Sequence, residues 1–504
     1  MSNHLFDAMR AAAPDDAPFI RIGSAQTWTY GDAFALSGRL AGAMDTLGIR
    51  PGDRVAVQVE KSAEALILYL ACLRIGAVYL PLNTAYTLAE LDYFIGDAEP
   101  RLVVVASAAR EGVEKIAKHY GAIVETLDAD GSGSLLDLAR DEPADFVDAS
   151  RSADDLAAIL YTSGTTGRSK GAMLTHGNLL SNALTLRDYW RVTPDDRLIH
   201  ALPIFHTHGL FVATNVTLLA GASMFLLSKF DADEVVSLMP QATMLMGVPT
   251  FYVRLLQSPH FGKEAAASIR LFISGSAPLL AETHTQFQAR TGHAILERYG
   301  MTETNMNTSN PYEEKRIAGT VGLPLPDVTV RVTDPATGQV LPPEQTGMIE
   351  IKGPNVFKGY WRMPEKTAAE FTADGFFISG DLGKIDRDGY VHIVGRGKDL
   401  VISGGYNIYP KEVESEIDQI EGVVESAVIG VPHPDFGEGV TAVVVCRPDA
   451  GLDEKTIVRA LQDRLARYKQ PKRIIFAEDL PRNTMGKVQK NILRQQYADL
   501  YTGT

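Results

Sequence analysis

Cysteine is scarce: Cys72 and Cys446 are the two thiols in 504 residues. Far apart in sequence, they make neither a disulfide framework nor a metal-ligand spacing, and such usage suits a reducing cytoplasm. Positive charge is also short. There are 62 acidic and 48 basic residues, a net charge of −14, which argues against a general nucleic-acid or anionic-membrane surface. Small anionic ligands stay open, because a few local cations suffice for them. Residues 1–14 include Asp7 and lack an apolar core, so no signal peptide is expected. Long apolar runs are missing as well. The best candidate, Ala63 to Leu82, carries Glu64 and Arg74 and is broken by Gly76 and Pro81. A buried helix followed by a strand is expected there, and no membrane span. Repeats and long low-complexity segments are absent.

What is present is ordinary globular composition, 45% hydrophobic and 22% charged, over a length that implies two or more domains. Extended pieces alternate with helical ones. Strands are expected at 27–30, 54–59, 77–82 and 102–106, with helices from Gly31, over 64–75 and over 87–97. After residue 155 the rhythm resumes: strands at 198–202, 223–227, 243–248 and 271–274, with helices at 176–188, 210–221, 231–239 and 279–291. This is the pattern of an α/β chain with two parallel, doubly wound sheet lobes. From about Gly319 the segments 328–332 and 348–352 alternate apolar and polar between turns, and 376–388 continues them, which predicts a small β-barrel or sheet. The run Gly395-Arg396-Gly397-Lys398-Asp399 reads as a joint. A large N-terminal domain over 1–396 and a small, mobile α+β domain over 397–504 are therefore expected.

The stretch Tyr161-Thr162-Ser163-Gly164-Thr165-Thr166-Gly167-Arg168-Ser169-Lys170-Gly171 follows the apolar run Leu156 to Leu160. Small residues let backbone N–H groups and hydroxyls close around an anion, and the lysine adds a point charge. A phosphate-binding loop is the local reading. The Walker spacing fails. Gly167 to Gly171 formally matches the G-x-S-x-G elbow of serine hydrolases, but the following Ala172 to His176 looks extended, whereas that elbow leads into a helix. A plain solvated linker remains the bland alternative.

Three other segments place polar groups beside glycines. In Tyr299-Gly300-Met301-Thr302-Glu303 an acid follows an apolar strand, where it can reach a metal held on phosphates. Asp381 follows the aromatic strand Phe376 to Ser379, where a carboxylate can take ribose hydroxyls, and Lys487 follows Gly486 near the end of the chain. Each alone also reads as a surface or turn residue. Taken in order, the segments resemble the acyl-adenylate-forming family of acyl-CoA synthetases, peptide-synthetase adenylation domains and firefly luciferase. The resemblance extends to Leu73–Leu82, Pro203-Ile204-Phe205-His206, Ser274-Gly275-Ser276-Ala277-Pro278, Gly347–Trp361 and Gly404-Gly405-Tyr406-Asn407-Ile408. Three departures stand out. Met348 replaces a glutamate, Ser379 a threonine, and Met485 the asparagine or serine before Gly486.

The resemblance implies a two-step ligase. A carboxylate attacks the α-phosphate of Mg·ATP, and a thiol, usually coenzyme A, then displaces AMP. It implies that Thr162, Ser163, Gly164, Thr165, Thr166, Gly167, Arg168, Ser169 and Lys170 hold phosphates. Glu303 would bind Mg²⁺, with Thr302 near the α-phosphate. Tyr299 would stack on adenine against Gly275, Ser276 and Ala277, Asp381 and Arg396 would hold the ribose, and Lys487 would bridge carboxylate and phosphate. Lys398 would be the hinge that removes Lys487 and brings Gly404 and Gly405 to the pantetheine path. Lysine acetylation at Lys487, by an acetyltransferase with an opposing deacetylase, would switch the first step off.

Arg298 bears on the acid. A short diacid would give it a carboxylate partner, and the bland alternative is a pair with Glu297 or a structural carbonyl. The runs 297–304 and 205–209 resemble the malonyl-CoA synthetase branch. On that resemblance Arg298 and Ser276 hold the distal carboxylate, Thr207 and Met306 crowd the α-carbon and set tolerance for methylmalonate, and His206 flanks the acyl site. His206 and His208 also suggest a metal pair, but no third ligand is recognisable. Lys469 and Lys472 could meet coenzyme A phosphates or form a solvated turn. Another short or aromatic acid, or a carrier-protein partner, are the rival readings within the same chemistry. No carrier domain follows in the sequence, which favours coenzyme A.

Overall fold

The structure is a computed structural model that describes residues 2–23, 26–162, 169–403, 406–462, 464–465, 467–483 and 486–501. Contacts divide the chain into two compact units: residues 1–329 with 351–377, and residues 330–350 with 378–504. The boundary expected at Arg396 and Gly397 falls inside the second unit.

The first unit holds two large sheets. In the nine-stranded sheet the strands run 323–324, 305–309, 296–301, 271–274, 244–247, 197–200, 223–226, 18–22 and 26–29. The six from 296–301 to 18–22 are parallel. In the seven-stranded sheet the order is 359–360, 170–175, 156–162, 78–81, 54–58, 102–105 and 123–126. Its last five strands are parallel. Strands such as Leu102–Val105 are buried throughout because helices cover both faces.

Local signals set the helices between them. Thr29, Thr87 and Thr175 each open a helix through a capping box, over Tyr30–Thr46, Leu88–Ala98 and His176–Tyr189. Such a cap contributes about 1 kcal/mol. Helix Ala63–Ile75 ends on Gly76 at φ +74°, a left-handed cap that turns the chain into strand Val78–Pro81. That helix is buried, and its Arg74 Nε donates to Asp148 Oδ1 at 2.5 Å. No helix among the described residues is long and apolar enough to cross a membrane.

Parallel strands deliver their carboxyl ends to one edge of a sheet, where α/β folds place ligands. Strand Arg197–His200 leads into the histidine segment, strand Leu271–Ser274 into Gly275-Ser276-Ala277, and strand Leu296–Met301 carries Arg298 and Tyr299. The helix expected over 210–221 differs. The chain forms a π-helix over His208–Thr214 and then an α-helix over Asn215–Leu219. Several elements went unread, among them helices Arg110–Tyr120 and Pro249–Gln257 and strand Ile123–Thr126.

The second unit carries most of a four-stranded sheet in the order 329–333, 347–352, 377–385 and 391–396, where the sequence predicts the small β-barrel or sheet. It also holds a five-stranded sheet built on the long hairpin Val423–His433 and Gly437–Cys446. Alternation along that hairpin separates two cores. Val428, Val440, Ala442 and Val444 face helices Pro410–Asp418 and Glu454–Leu461, whereas Ala427, Ile429, Val431 and Val443 pack with Leu480 and Leu493.

Candidate active site

The phosphate-loop candidate joins two antiparallel strands. Leu156–Thr162 pairs with Lys170–Thr175 so that Thr162 opposes Lys170. Residues 163–168 lie outside the described residues. The second arm is a strand and not a helix, which rules out the nucleophile-elbow geometry at Ser169; the Ser169 carbonyl accepts from Tyr93 Oη at 2.7 Å. Tyr161 Oη donates to Asp97 Oδ2 at 2.5 Å, fixing the other arm.

Lys170 has partners that the sequence did not reveal. Its Nζ lies 3.0 Å from Glu370 Oε1 and 4.0 Å from the centroid of the Tyr360 ring. Tyr360 Oη stands 2.6 Å from Glu370 Oε2 and 3.0 Å from Glu303 Oε1. A hydroxyl has one proton, so it donates to only one of these carboxylates at a time. Tyr360 is placed by strand Gly359–Tyr360, which pairs with Met173 and Ala172, and Glu370 follows helix Pro364–Ala369. Glu303 is buried, in the turn after strand Leu296–Met301, with Thr302 half-buried beside it. Hard carboxylate oxygens of this kind suit Mg²⁺ when phosphates supply further ligands.

Arg298 is 3% exposed, and its Nε and Nη2 have no hydrogen-bond partner among the described residues. Burial lowers its pKa to about 9. Pairing with Glu297 is ruled out by the pleat. Strand neighbours face opposite ways, and Glu297 Oε1 takes the Gly319 N–H at 3.3 Å and lies 3.7 Å from His284 Nδ1. Gly275 lets the guanidinium pack closely, since a Cβ there would stand 2.4 Å from Arg298 Cζ.

Other unpartnered groups gather in this unit. His206 Nε2, Thr207 Oγ1, His208 Nε2 and Ser274 Oγ are buried without hydrogen bonds among the described residues. Burial lowers the His206 pKa to about 4, and burial with nearby Arg298 holds His208 well below the usual histidine range. Burial thus favours the neutral form of both rings, and Ser276 Oγ lies 3.2 Å from His208 Nδ1. Ser276 holds φ +70°, a left-handed conformation strained for a non-glycine residue and frequent at ligand turns. Met306 is buried, and a Cβ on Gly300 would stand 2.4 Å from its Cε. No group of three or more His, Cys, Asp or Glu able to hold a metal occurs among the described residues.

In the second unit Asp381 and Arg396 face each other across paired strands, with Arg396 Nε 2.7 Å from Asp381 Oδ1. Lys487 sits on a small turn: its N–H donates to Asn483 Oδ1 at 2.9 Å and its carbonyl accepts from Asn483 N–H at 2.9 Å. Arg482 braces the turn, donating to the Gly486 carbonyl at 2.7 Å and pairing with Glu425. Lys487 retains solvent-exposed surface, yet protein crowds its ammonium. Partial loss of hydration, then Arg396 and Lys398, lower its pKa to about 8 against the opposing pull of Asp381 and Asp399. Lys398 is lowered too, chiefly by burial, and Asp399 next to it pairs with Arg494 at 2.7 Å. Gly404 and Gly405 lie outside the described residues. Lys469 is engaged by Glu412 at 2.5 Å, and Lys472 Nζ lies 3.7 Å from the centroid of the Phe436 ring.

Residues 6–361 match the family model for AMP-binding enzymes, and residues 412–487 match the model for the AMP-binding enzyme C-terminal domain. The chain belongs to the AMP-binding enzyme family. It is an AMP-forming acid–thiol ligase by that membership, and ATP is its nucleotide. A crystal structure of ATP-bound MatB from Rhodopseudomonas palustris superposes with TM-score 0.98 at 63% identity, covering 99% of this chain and 100% of that one. A malonate–CoA ligase of Arabidopsis thaliana is 35% identical over 89% of this chain and 78% of its own length. A feruloyl-CoA synthase of Amycolatopsis is 37% identical over 97% of both chains. Within this AMP-binding enzyme the first unit gathers Arg298, His206, Thr207, His208 and Ser276, and separately Lys170 and Glu303. The second unit gathers Asp381, Arg396, Lys398 and Lys487. Sequence reasoning missed Glu370, and gave Tyr360 and Ser274 no role beyond their places in the Gly347–Trp361 and Ser274–Pro278 segments.

Proposed function

We propose that this ligase converts malonate, with methylmalonate tolerated, coenzyme A and Mg·ATP to the malonyl thioester, AMP and pyrophosphate. The observation that carries this reading is Arg298, a buried guanidinium with two unpartnered N–H-bearing atoms beside uncharged polar groups. A second carboxylate would give it a directional, charge-assisted partner. The likeness to MatB and to a malonate–CoA ligase points the same way.

In the first step a carboxylate oxygen attacks the α-phosphorus, the bond to the bridging oxygen breaks, and pyrophosphate leaves. Two anions must meet, so the residues supply positive charge: Lys170 on the β- and γ-phosphates, Lys487 between carboxylate and α-phosphate. Thr302 lies by the α-phosphate, Tyr299 stacks on adenine, and Asp381 with Arg396 holds the ribose. Glu303 would hold Mg²⁺, which when bound draws charge from the phosphates. Arg298 and Ser276 fix the distal carboxylate, and Thr207 and Met306 limit bulk at the α-carbon. In the second step the coenzyme A sulfur attacks the acyl carbon, the thiol proton is lost, and AMP leaves. A swing of residues 397–504 about Lys398 removes Lys487 and brings Gly404 and Gly405 to the thiol path. Acetylation of Lys487 abolishes the first step by removing its charge.

Feruloyl-CoA synthase at 37% identity favours a second reading, an aromatic monoacid. That reading leaves Arg298 without an anion. The test is pyrophosphate release on malonate, methylmalonate, succinate, acetate, a fatty acid and ferulate, with wild type and Arg298→Ala. Malonate preference in wild type, lost by about 10- to 100-fold in the variant, is the expected result. Activity centred on a monoacid and indifferent to Arg298 overturns the substrate assignment.

A further inference from the structure

Lys61 is buried, 8% exposed, in the segment between strand Arg54–Gln58 and helix Ala63–Ile75. Its ammonium does not meet a carboxylate in the contacts that hold it. Nζ lies 2.9 Å from His200 Nδ1 and donates to the His200 carbonyl at 2.7 Å. His200 ends strand Arg197–His200 of the other sheet, so this contact joins the two lobes.

The tautomer of His200 follows from its partners. Nε2 faces the Gly209 carbonyl at 2.9 Å, and a carbonyl can only accept, so Nε2 carries the proton. Nδ1 therefore offers a lone pair, which Lys61 fills. The same Gly209 carbonyl also accepts from Thr214 Oγ1 at 2.9 Å. Gly209 lies in the π-helix His208–Thr214, a wide turn of a kind frequent at functional sites. It packs closely on the preceding segment, since a Cβ there would stand 2.1 Å from the Pro203 carbonyl oxygen. Immediately before it come His206, Thr207 and His208, whose buried Nε2, Oγ1 and Nε2 atoms respectively have no hydrogen-bond partner among the described residues.

We propose that Lys61, acting through His200 and the Gly209 carbonyl, is a positioning residue for the acid subsite. It fixes the π-turn whose first residues face the acid. The proposal rests on the assignment of that segment to the acid, and it predicts where the effect of losing Lys61 falls. Acid recognition suffers, because unpartnered groups must meet the ligand within hydrogen-bonding distance. Nucleotide binding suffers less, because the contacts of Lys170, with Glu370 and Tyr360, lie outside this chain of bonds.

The experiment compares KM for malonate, KM for ATP and kcat in wild type, Lys61→Met and Thr214→Val, with Arg298→Ala as a control. Methionine keeps the buried chain length without the donor. Thr214→Val is nearly isosteric and removes one of the two side-chain bonds to the Gly209 carbonyl. The expected result is KM for malonate up about fivefold or more in Lys61→Met, with a smaller rise in Thr214→Val and KM for ATP within twofold in both. Should Lys61→Met not fold, Thr214→Val decides alone. Equal shifts in both KM values, or a lowered Tm with all kinetic constants intact, make the contact a structural staple and overturn the inference. Arg298→Ala separates the two claims. If it spares malonate, the diacid reading fails; if it abolishes malonate use while Lys61→Met and Thr214→Val do not change KM, only this inference fails.

Discussion

Lys170 Nζ stands 3.0 Å from Glu370 Oε1 although 200 residues separate them in the chain. Glu370 also takes Lys366 Nζ at 2.9 Å and shares the Tyr360 hydroxyl with Glu303. The lysine proposed to serve the phosphates is thus paired with a carboxylate beforehand, and on that proposal phosphate binding competes with the carboxylate.

Replacing Glu370 with glutamine therefore strengthens nucleotide binding. The pair is partly solvated, so the change is on the order of 1 kcal/mol, about fivefold in Kd for ATP. Equilibrium binding of ATP to Glu370→Gln measures it. Weaker binding would mean that Glu370 holds Lys170 in place for the nucleotide.

Gly275 tests the fit of Arg298. A methyl group there falls 2.5 Å from Arg298 Nη1 and 2.7 Å from Nε, so the guanidinium must shift. Overpacking typically costs 1–3 kcal/mol. Gly275→Ala raises KM for the acid about tenfold or more, and by more than it raises KM for ATP, in steady-state pyrophosphate release. An unchanged KM for the acid would place its distal group elsewhere.

Lys487, with a pKa lowered to about 8, gives adenylation an alkaline limit. In the proposed mechanism the charged form bridges carboxylate and phosphate, and that form is lost as pH rises through about 8. Catalytic efficiency for adenylation in wild type falls above that pH. Arginine stays charged across this range, so Lys487→Arg, slower at every pH, flattens the limb. A limb that persists unchanged in Lys487→Arg assigns it to another group.

Arg298, Tyr299 and Glu303 lie close in sequence, on one short strand and the turn after it, and the family resemblance singled them out together there. The hairpin around residues 162–170 was legible from apolar runs on both sides of small residues. Glu370, Tyr360, Lys61 and His200 were not. Their contacts join segments that meet only through sheet pairing, and nothing local marks a glutamate as the partner of a distant lysine. The π-helix His208–Thr214 departs from the plain helix expected over 210–221, and its winding left no mark because all seven of its residues are buried, which erases the amphipathic period. Helix Arg110–Tyr120 escaped notice for the opposite reason, since only Val113 and Ala117 are buried in a mostly polar stretch. The boundary at Gly397 followed charge and glycine content, whereas contacts group the small sheet with the C-terminal module.

The proposed role of Arg298 also makes the acid a thermodynamic component of the fold. Keeping a lone guanidinium dry disfavours the native state, and a bound carboxylate relieves that penalty. Because the unfolded chain binds no acid, stability rises with ligand as RT ln(1 + [L]/Kd), about 2.7 kcal/mol at one hundred times Kd. Melting curves over a malonate series should climb for wild type and stay flat for Arg298→Ala. In a cell whose diacid supply fluctuates, the abundance of this ligase would then follow its own substrate, with the folded fraction acting as a slow gauge of supply.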